Sequence, residues 1–315
     1  MPPFPKPETS YDYELEDELA ALAEHRSERQ IPDKSDDRLL LATWNIANFG
    51  HQERRDKDHR LIAEILGWFD LIAIQEVAED LSGLYAVKEL LGEPWRLLIS
   101  DTAGNDERTA FLFDDNKVEL LELVGRLSVP PSDYRHIHLE GVEGSFTGFD
   151  RSPYLAAFTV GDFRFILASV HLFYGSEAAR DIGRRALETY AVARWADLNR
   201  GSDHAYARDI IALGDFNLPQ VTPEDTIFKA LTSRGLQLPE HSTAIGGTSL
   251  GGRYHYDQIA FFPGETEEFN RAIGVFDFGS CLFRGHWNPN QPAPFLAYCR
   301  YYISDHRPLW AQFKV

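Results

Sequence analysis

Short apolar runs follow one another along the chain from Leu39 onward, and residues that favour turns separate them. Short runs rich in β-branched and aromatic residues are typical of β-strands. The pattern predicts strands at LLLATWNI, LIAIQEV, WRLLIS, TAFLFD, YLAAFTV, FRFILASVH, DIIALGDFN, YDQIAFF and PLWAQFKV. Apolar residues at helical spacing predict helices over residues 13–26, 58–68, 82–91, 178–198 and 223–234.

The order of these elements indicates an α/β protein in two parts. Residues 1–37 are polar and acidic, and they predict an N-terminal arm with one short helix. Residues 38–315 contain no polar stretch long enough to separate domains, so we interpret them as one domain. Most strands are apolar on both faces, which predicts sheets whose outer faces are covered by helices.

The composition narrows the class of protein. The 315 residues are 43% hydrophobic, which excludes a disordered chain. The net charge of −18 gives no general attraction to phosphate backbones, so a nucleic-acid substrate must be bound locally. Cys281 and Cys299 are too few for a disulfide framework, although one bridge between them stays open. The proline-rich N-terminus differs from a signal peptide, and we expect a cytoplasmic monomer without stable membrane association.

A carboxylate and a carboxamide stand at the end of the strand predicted within IIALGDFNLP, residues 210–219. Side chains two positions apart on an extended chain face the same side, so Asp215 and Asn217 offer their oxygens to one space. Turns are also rich in Asp, Asn, Gly and Pro, and this stretch alone leaves a simple turn equally open.

Polar residues recur near the ends of other predicted strands. They are Asn45, Glu76, His171, Asp257, Asp305 and His306. Any one of them is also explained as a cap, a turn residue or a structural histidine. Together, hard oxygen donors and two histidines indicate metal and phosphate chemistry.

The motifs TWNI, IQEV, SVHL, GDFN, YDQI and SDHRP occur in this order between Leu39 and Val315. In type and order they resemble the endonuclease/exonuclease/phosphatase family, also called the DNase I-like family. The resemblance implies a four-layer α/β sandwich in which two mostly antiparallel sheets pack face to face with helices outside. It also implies a phosphoric ester hydrolase, because members of the family cleave DNA, RNA, sphingomyelin, inositol phosphates or nucleotides.

The same residues suggest a magnesium site. Mg²⁺ prefers oxygen ligands and usually needs one or two carboxylates in addition to water and substrate phosphate. Glu76 is the first candidate ligand, and the resemblance implies that Asn45 and Asp305 support it. Mn²⁺ is an alternative, whereas the lack of thiolate ligands disfavours zinc.

Hydrolysis also needs proton transfer and stabilisation of the phosphoryl charge. We predict that His306 activates the water, and the resemblance implies that Asp257 orients its imidazole. His171 would donate to a phosphoryl or leaving oxygen, and Asn217 would donate its amide to the phosphate or orient the nucleophile. Asp215 is assigned to catalysis, with a second metal, water orientation and the base role all left open.

Four further residues are expected to contact the substrate. Arg151 resembles a phosphate-contact position of the family, and Arg108 also stands before a predicted strand, although surface salt bridges explain both arginines too. Tyr174 and Thr248 lie in loops expected near the site, where packing and turn formation are alternative explanations.

The preferred function is a metal-dependent phosphodiesterase, most simply a DNase I-like nuclease with DNA favoured over RNA. The alternatives are a phosphatase of a small phosphomonoester, a lipid or phosphoinositide phosphodiesterase, and a non-catalytic binding module. The retained histidines and acids disfavour the last of these. The shared core of the family does not select among the substrates.

Overall fold

The computed structural model describes residues 3–315, and this part of the chain contains six α-helices and eleven strands. The helices are α1 (Leu15–Glu28), α2 (Asp56–Gly67), α3 (Ser82–Leu91), α4 (Ala179–Arg200), α5 (Thr226–Thr232) and α6 (Pro292–Tyr302). The strands are β1 (Arg38–Phe49), β2 (Leu71–Val77), β3 (Trp95–Ile99), β4 (Arg108–Asp114), β5 (Glu119–Arg126), β6 (Tyr154–Val160), β7 (Phe163–His171), β8 (Asp209–Asp215), β9 (Asp257–Ala260), β10 (Phe269–Val275) and β11 (Leu309–Lys314).

The strands form two mixed sheets. Sheet A has six strands in the order β10-β11-β1-β2-β4-β3, and sheet B has five in the order β5-β6-β7-β8-β9. Neighbouring strands are antiparallel except for β1 with β2 and β7 with β8, which are parallel. Each sheet is therefore mostly antiparallel, with one parallel pair near its centre.

The two sheets pack face to face, and helices cover both outer faces. Along β1, Leu39 and Leu41 pack between the sheets, whereas Leu40 and Trp44 pack on the outer face of sheet A. Helices α2, α3 and α6 cover that face, and α4 and α5 cover the outer face of sheet B. Strands buried on both faces need nearly continuous apolar sequences, which is the pattern observed. The four-layer α/β sandwich expected from the sequence is confirmed.

Three elements lie outside the predicted set. Strands β5 and β10 are at the edges of their sheets and are only partly buried, so their sequences lack a continuous apolar run. Helix α6 begins with the segment PAP and is rich in aromatic residues, which weakens its helical pattern. All five predicted helices are present, with ends that differ by a few residues.

A buried ionic cluster holds α1 against the rest of the protein. Asp277 accepts a hydrogen bond from Arg29 Nε at 2.6 Å and lies 2.9 Å from His25 Nε2. Burial opposes the charge of Asp277, yet hydrogen bonds from His25 and Ser280 and the charge of Arg29 lower its carboxyl pKa to about 2. Helix α1 thus contacts the domain, and the treatment of residues 1–37 as a separate arm stays a prediction.

The structure also bears on the two cysteines and on membrane-spanning helices. Cys281 and Cys299 are both buried free thiols, so the bridge that the sequence left open is absent. Across residues 3–315, none of the helices has both the length and the apolar composition that a membrane crossing requires.

We expect Asp277→Asn to weaken the docking of α1 and to lower the free energy of unfolding by about 3 kcal/mol, because two cationic partners lose their buried anion. Urea denaturation measures the loss, and limited proteolysis within residues 15–28 locates it. Asp33→Asn is the matched control, since the Arg26–Asp33 pair is at the surface.

The same ion pair has a defined pH dependence. Because the pKa of Asp277 is about 2 in the folded protein and higher in the unfolded chain, its contribution is present above about pH 4 and is lost as the pH falls towards 2. Equal stability of the Asn variant and the parent at neutral pH would contradict the assignment.

Candidate active site

A cavity of about 490 Å³ opens where the parallel pairs of the two sheets end. Both sheets supply its polar lining, which includes Glu76, His171, Asp215, Asn217, Asp305 and His306. The carboxyl ends of parallel neighbours lie at the same edge of a sheet, so one parallel pair in each sheet is enough to gather residues from distant parts of the chain.

Sheet B places three of the predicted residues side by side. In the strand register His171 is paired with Asp215, and Asp215 is paired with Asp257. Gly214 precedes this row with a φ of +122°, and a Cβ there would lie 2.2 Å from the carbonyl oxygen of Val170. Only glycine fits so close to the neighbouring strand, which explains why the apolar run is interrupted immediately before Asp215.

An irregularity in β2 presents Glu76 to the cavity. Its φ of +59° is in the left-handed region, which costs a non-glycine residue about 1–2 kcal/mol. The carboxylate accepts hydrogen bonds from Asn45 Nδ2 at 3.0 Å and from the backbone N–H of Asn48 at 2.9 Å. These bonds offset the backbone strain and hold the carboxylate in one orientation.

The surroundings of Asn45, Glu76 and Asp305 fit a hard divalent cation. Burial raises the pKa of the Asp305 carboxyl to about 6, and the charge of Glu76 adds to the shift while His306 opposes it. Within the described part of the chain, Oδ1 of Asn45 is buried and has no hydrogen-bond partner. A bound cation would reduce the repulsion between the Glu76 and Asp305 carboxylates, and it would give Oδ1 of Asn45 a partner.

The protein ligands available for such a cation are few. Among residues 3–315, no group of three or more His, Cys, Asp or Glu side chains is arranged to hold a metal ion by itself. Mg²⁺ commonly keeps several waters and takes one or two carboxylates and a substrate phosphate. The donor set is therefore compatible with Mg²⁺ and gives no support to a closed, all-protein site.

His306 and Asp257 form a buried pair. The Nδ1 atom of His306 is 2.7 Å from Oδ2 of Asp257, which is fully buried. Burial alone would lower the pKa of His306, but the charges of Asp257, Asp215 and Asp305 raise it well above its usual value. The shift favours the imidazolium, whereas the predicted role of His306 as water activator requires the neutral imidazole, which can accept a proton.

A second histidine–carboxylate pair is formed by His171 and Glu107. The Nδ1 atom of His171 lies 2.8 Å from Oε2 of Glu107, and both side chains are buried. Burial opposes the charge of Glu107, yet His171 and Arg151 lower its pKa to about 2. Glu107 is not among the residues predicted from the sequence, which include its neighbour Arg108; the available signal was an acid directly before strand β4.

Both pairs converge on one oxygen atom. Oδ2 of Asp215 lies 3.8 Å from Nε2 of His306 and 3.7 Å from Nε2 of His171. The amide of Asn45, on the opposite sheet, donates a hydrogen bond to the same oxygen at 3.1 Å. Two potential proton carriers and a fixed carboxylate thus share a single small region of the cavity.

A buried arginine supports the two loops beside this region. Asn217 adopts a φ of +52°, and its amide Nδ2 donates to the carbonyl oxygen of Leu172 at 2.9 Å. Arg185 of α4 is fully buried and donates to the carbonyl oxygens of Asn217 at 3.0 Å and Tyr174 at 2.7 Å. The sequence offered no signal for Arg185 beyond its place in a helix.

Arg151 lines the cavity, but its guanidinium is largely engaged by the protein. Its Nε and Nη2 atoms donate to the carbonyl oxygens of His171 and Leu172, each at 2.8 Å. Nε also lies 3.8 Å from Glu107. The side chain therefore fixes the end of β7 and adds positive charge near the cavity.

Arg108 and Thr248 do not line this cavity, and their contact with a substrate stays a prediction. Arg108 donates from Nη1 to the carbonyl oxygen of Ser100 at 3.0 Å and lies 3.8 Å from the carboxylate of Asp101. Thr248 is fully buried, and its Oγ1 accepts the backbone N–H of Asp257 at 3.0 Å, so it positions that residue instead. Tyr174 does line the cavity and is 39% exposed.

Comparison with known proteins finds a curated protein that is similar in sequence and many solved structures that are similar in fold. No family model matches the chain. A protein from Thioalkalivibrio sp. (strain K90mix) named Deoxyribonuclease is 33% identical over 190 residues, which cover 58% of this chain and 46% of that protein. The matched region is thus less than half of the relative's length.

Solved structures match nearly the whole chain at low sequence identity. An endonuclease/exonuclease/phosphatase family protein from Bacteroides thetaiotaomicron superimposes with a TM-score of 0.57 at 19% identity, covering 87% of this chain and 94% of that one. A mannosyl-6-phosphatase from the same species gives a TM-score of 0.54 at 19% identity, covering 87% and 98%. The chain therefore has the DNase I-like fold of the endonuclease/exonuclease/phosphatase proteins, and the resemblance read from its motifs is confirmed in that fold.

Proposed function

We propose that this protein is a metal-dependent phosphodiesterase, a nuclease that hydrolyses phosphodiester bonds of nucleic acid. The observation that carries the proposal is the convergence of two histidine–carboxylate pairs on Oδ2 of Asp215. Hydrolysis of a phosphodiester needs one group to take a proton from water and another to give a proton to the leaving oxygen. Two oriented imidazoles on one carboxylate can meet both needs.

The roles within the site follow from position and charge. His306, oriented by Asp257, and His171, oriented by Glu107, carry the proton transfers. Asp215 keeps both imidazoles in place and orients the attacking water. Because each imidazole has a buried carboxylate on its Nδ1 atom, its Nε2 atom is left to face the reacting phosphate.

The remaining polar groups would bind and polarise the phosphate. One hydrogen of the Asn217 amide is used by Leu172, and the second remains available for a phosphoryl oxygen. Arg151 adds positive charge from the side of β7. Asn45, Glu76 and Asp305 would hold Mg²⁺, with Mn²⁺ as the alternative. When bound, the cation would neutralise charge that develops on the phosphoryl oxygens.

DNA is the favoured substrate, and the support comes from the relative named Deoxyribonuclease. The main alternative is a phosphatase of a small phosphomonoester. It is favoured by the modest cavity of about 490 Å³ and by a structural neighbour that is named mannosyl-6-phosphatase. The monomeric state and the cytoplasmic location inferred from the sequence stay predictions.

One set of assays separates these functions. Plasmid DNA, single-stranded DNA, RNA and bis(p-nitrophenyl) phosphate are compared with p-nitrophenyl phosphate and sugar phosphates, in Mg²⁺ and in Mn²⁺. A nuclease hydrolyses the diesters with the higher kcat/KM. Preferential hydrolysis of the monoesters would replace the proposal with the phosphatase.

We expect activity to require a divalent cation and Glu76→Gln to remove most of it, because the amide keeps the shape of the side chain but loses its charge. Added Mg²⁺ or Mn²⁺ should raise the Tm of the parent protein and have little effect on the Tm of the variant. This readout does not depend on turnover. Glu79→Gln is the matched control, since Glu79 is exposed and three residues farther along. Full activity in excess EDTA would remove the metal from the proposal.

We expect His306→Ala and Asp257→Ala each to lower kcat by at least ~100-fold, the lower end of what an oriented acid or base contributes. The double variant should be scarcely worse than the worse single variant, because the two residues act in one step. His138→Ala, at an exposed histidine, is the control. Additive losses would instead assign His306 and Asp257 to independent roles.

We expect Glu107→Gln to lower kcat by about 10- to 100-fold, because His171 loses the anion that orients its ring and stabilises its positive charge. Adding this change to His171→Ala should reduce kcat little further. Glu119→Gln, an exposed glutamate at the start of β5, is the control. Thermal unfolding of each variant separates a loss of activity from a loss of fold. A Glu107→Gln variant with parental kcat would leave Glu107 with a structural role only.

A further inference from the structure

Three tyrosines form a continuous strip of rings that leads away from His306. The ring of Tyr256 lies 5.7 Å from that of His306 and is stacked on Tyr254 at 5.0 Å with an interplanar angle of 16°. Tyr174 meets Tyr256 edge to face at 6.4 Å. We call Tyr174, Tyr254 and Tyr256 the tyrosine strip.

The strip is built from two separate loops and begins inside the cavity. Tyr174 follows β7, whereas Tyr254 and Tyr256 precede β9, and Tyr174 and Tyr256 both line the cavity. Tyr174 is exposed, and Tyr254 and Tyr256 are only partly buried. Large aromatic rings that remain accessible beside a polar cavity are unusual, because aromatic side chains normally bury most of their surface.

Backbone hydrogen bonds hold the strip in place. The carbonyl oxygen of Tyr254 accepts from the backbone N–H groups of Thr248 and Ser249, and that of Tyr256 accepts from Phe216. The carbonyl oxygen of Tyr174 accepts from the buried Arg185, whose guanidinium also lies 4.6 Å from the Tyr174 ring. The rings are thus presented by fixed backbone, which lowers the entropic cost of binding a flat ligand.

The charges beside the strip are mixed. The guanidinium of the exposed Arg253 lies 5.1 Å from the centre of the Tyr254 ring, and the hydroxyl of Tyr174 donates to Glu177 at 3.1 Å. With a net charge of −18 over the chain, phosphate contacts alone provide little affinity for a polyanion. Stacking does not depend on net charge and is tolerant of sequence, so it can supply the affinity that the acidic chain lacks.

We propose that the tyrosine strip is a stacking platform for unpaired nucleobases next to the phosphate that is cleaved. The inference rests on the proposed nuclease function and deepens it, because it selects single-stranded nucleic acid or an unpaired end as the substrate class. Bases in a duplex present only their edges, so their faces are not available to tyrosine rings. Arg253 lies at the outer end of the strip.

The test compares substrates that carry the same phosphates with and without bases. A single-stranded oligodeoxynucleotide, the same oligodeoxynucleotide with abasic residues, and its duplex are cleaved by the parent protein, by Tyr254→Ala and by Tyr254→Phe. Anisotropy of the labelled single strand in EDTA measures binding without turnover. Tyr85→Ala is the matched control, since Tyr85 of α3 is 49% exposed and lies outside the cavity.

We expect Tyr254→Ala to raise the KM of the base-containing single strand about tenfold, within the range observed when one base–aromatic contact is removed. The KM of the abasic strand should change less than about twofold, and Tyr254→Phe should retain parental values because the ring is kept. The parent protein should also cleave the single strand with a higher kcat/KM than the duplex. Tyr85→Ala should change none of these quantities.

The outcomes separate this inference from the proposed function. Cleavage of diesters with the same KM for the base-containing and the abasic strand, or equal losses on both in Tyr254→Ala, would overturn the platform and leave the nuclease in place. Absence of diester cleavage, combined with base-dependent binding that Tyr254→Ala removes, would overturn the nuclease and retain the platform.

Discussion

The carboxylate of Asp215 is the point at which the two sheets and the proposed chemistry meet. Its Oδ2 atom is approached by His171 from the same sheet, by His306 from the segment before β11, and by the amide of Asn45 from the opposite sheet. A charge buried among these groups is stable only if each of them keeps its position. The geometry of the cavity therefore depends on how the two sheets pack, because a shift of either sheet would leave Asp215 poorly paired.

Much of the surrounding structure holds these groups in place. Glu76 and Asn217 adopt left-handed backbone conformations that cost free energy, and each is compensated by hydrogen bonds to side chains and backbone. Ser304 ties the end of β1 to the segment before β11: its hydroxyl donates to the carbonyl oxygen of Asn45 and accepts the backbone N–H of His306. Arg185 performs the same task for the loops after β7 and β8. Backbone strain and buried charge both occur at the cavity, as is common where a site must be preorganised.

The strong negative charge of the chain limits how a nucleic acid can be held. Long-range attraction is absent, so under the proposed function binding would come from contacts made at the cavity: the proposed divalent cation, Arg151 and the accessible rings of the tyrosine strip. Such contacts act over short distances, and they would recognise a phosphate with its neighbouring base instead of a long stretch of backbone. The proposed platform and the proposed metal site would thus both supply affinity that the negatively charged chain does not gain from long-range attraction.

The sequence by itself determined the fold class and most of the candidate site. Continuous apolar runs show which strands are buried on both faces, and polar residues after such runs must lie at a sheet edge, which is how Asp215 and His171 could be identified. Tertiary structure alone decided which residues contact one another. Glu107 is adjacent in sequence to Arg108, yet only Glu107 reaches His171, and Thr248 is buried beneath Asp257 although its loop resembles a surface loop. Local periodicity determines the face on which a side chain lies, whereas pairing between distant segments depends on strand register, bulges and loop paths that are set by the packing of the whole chain.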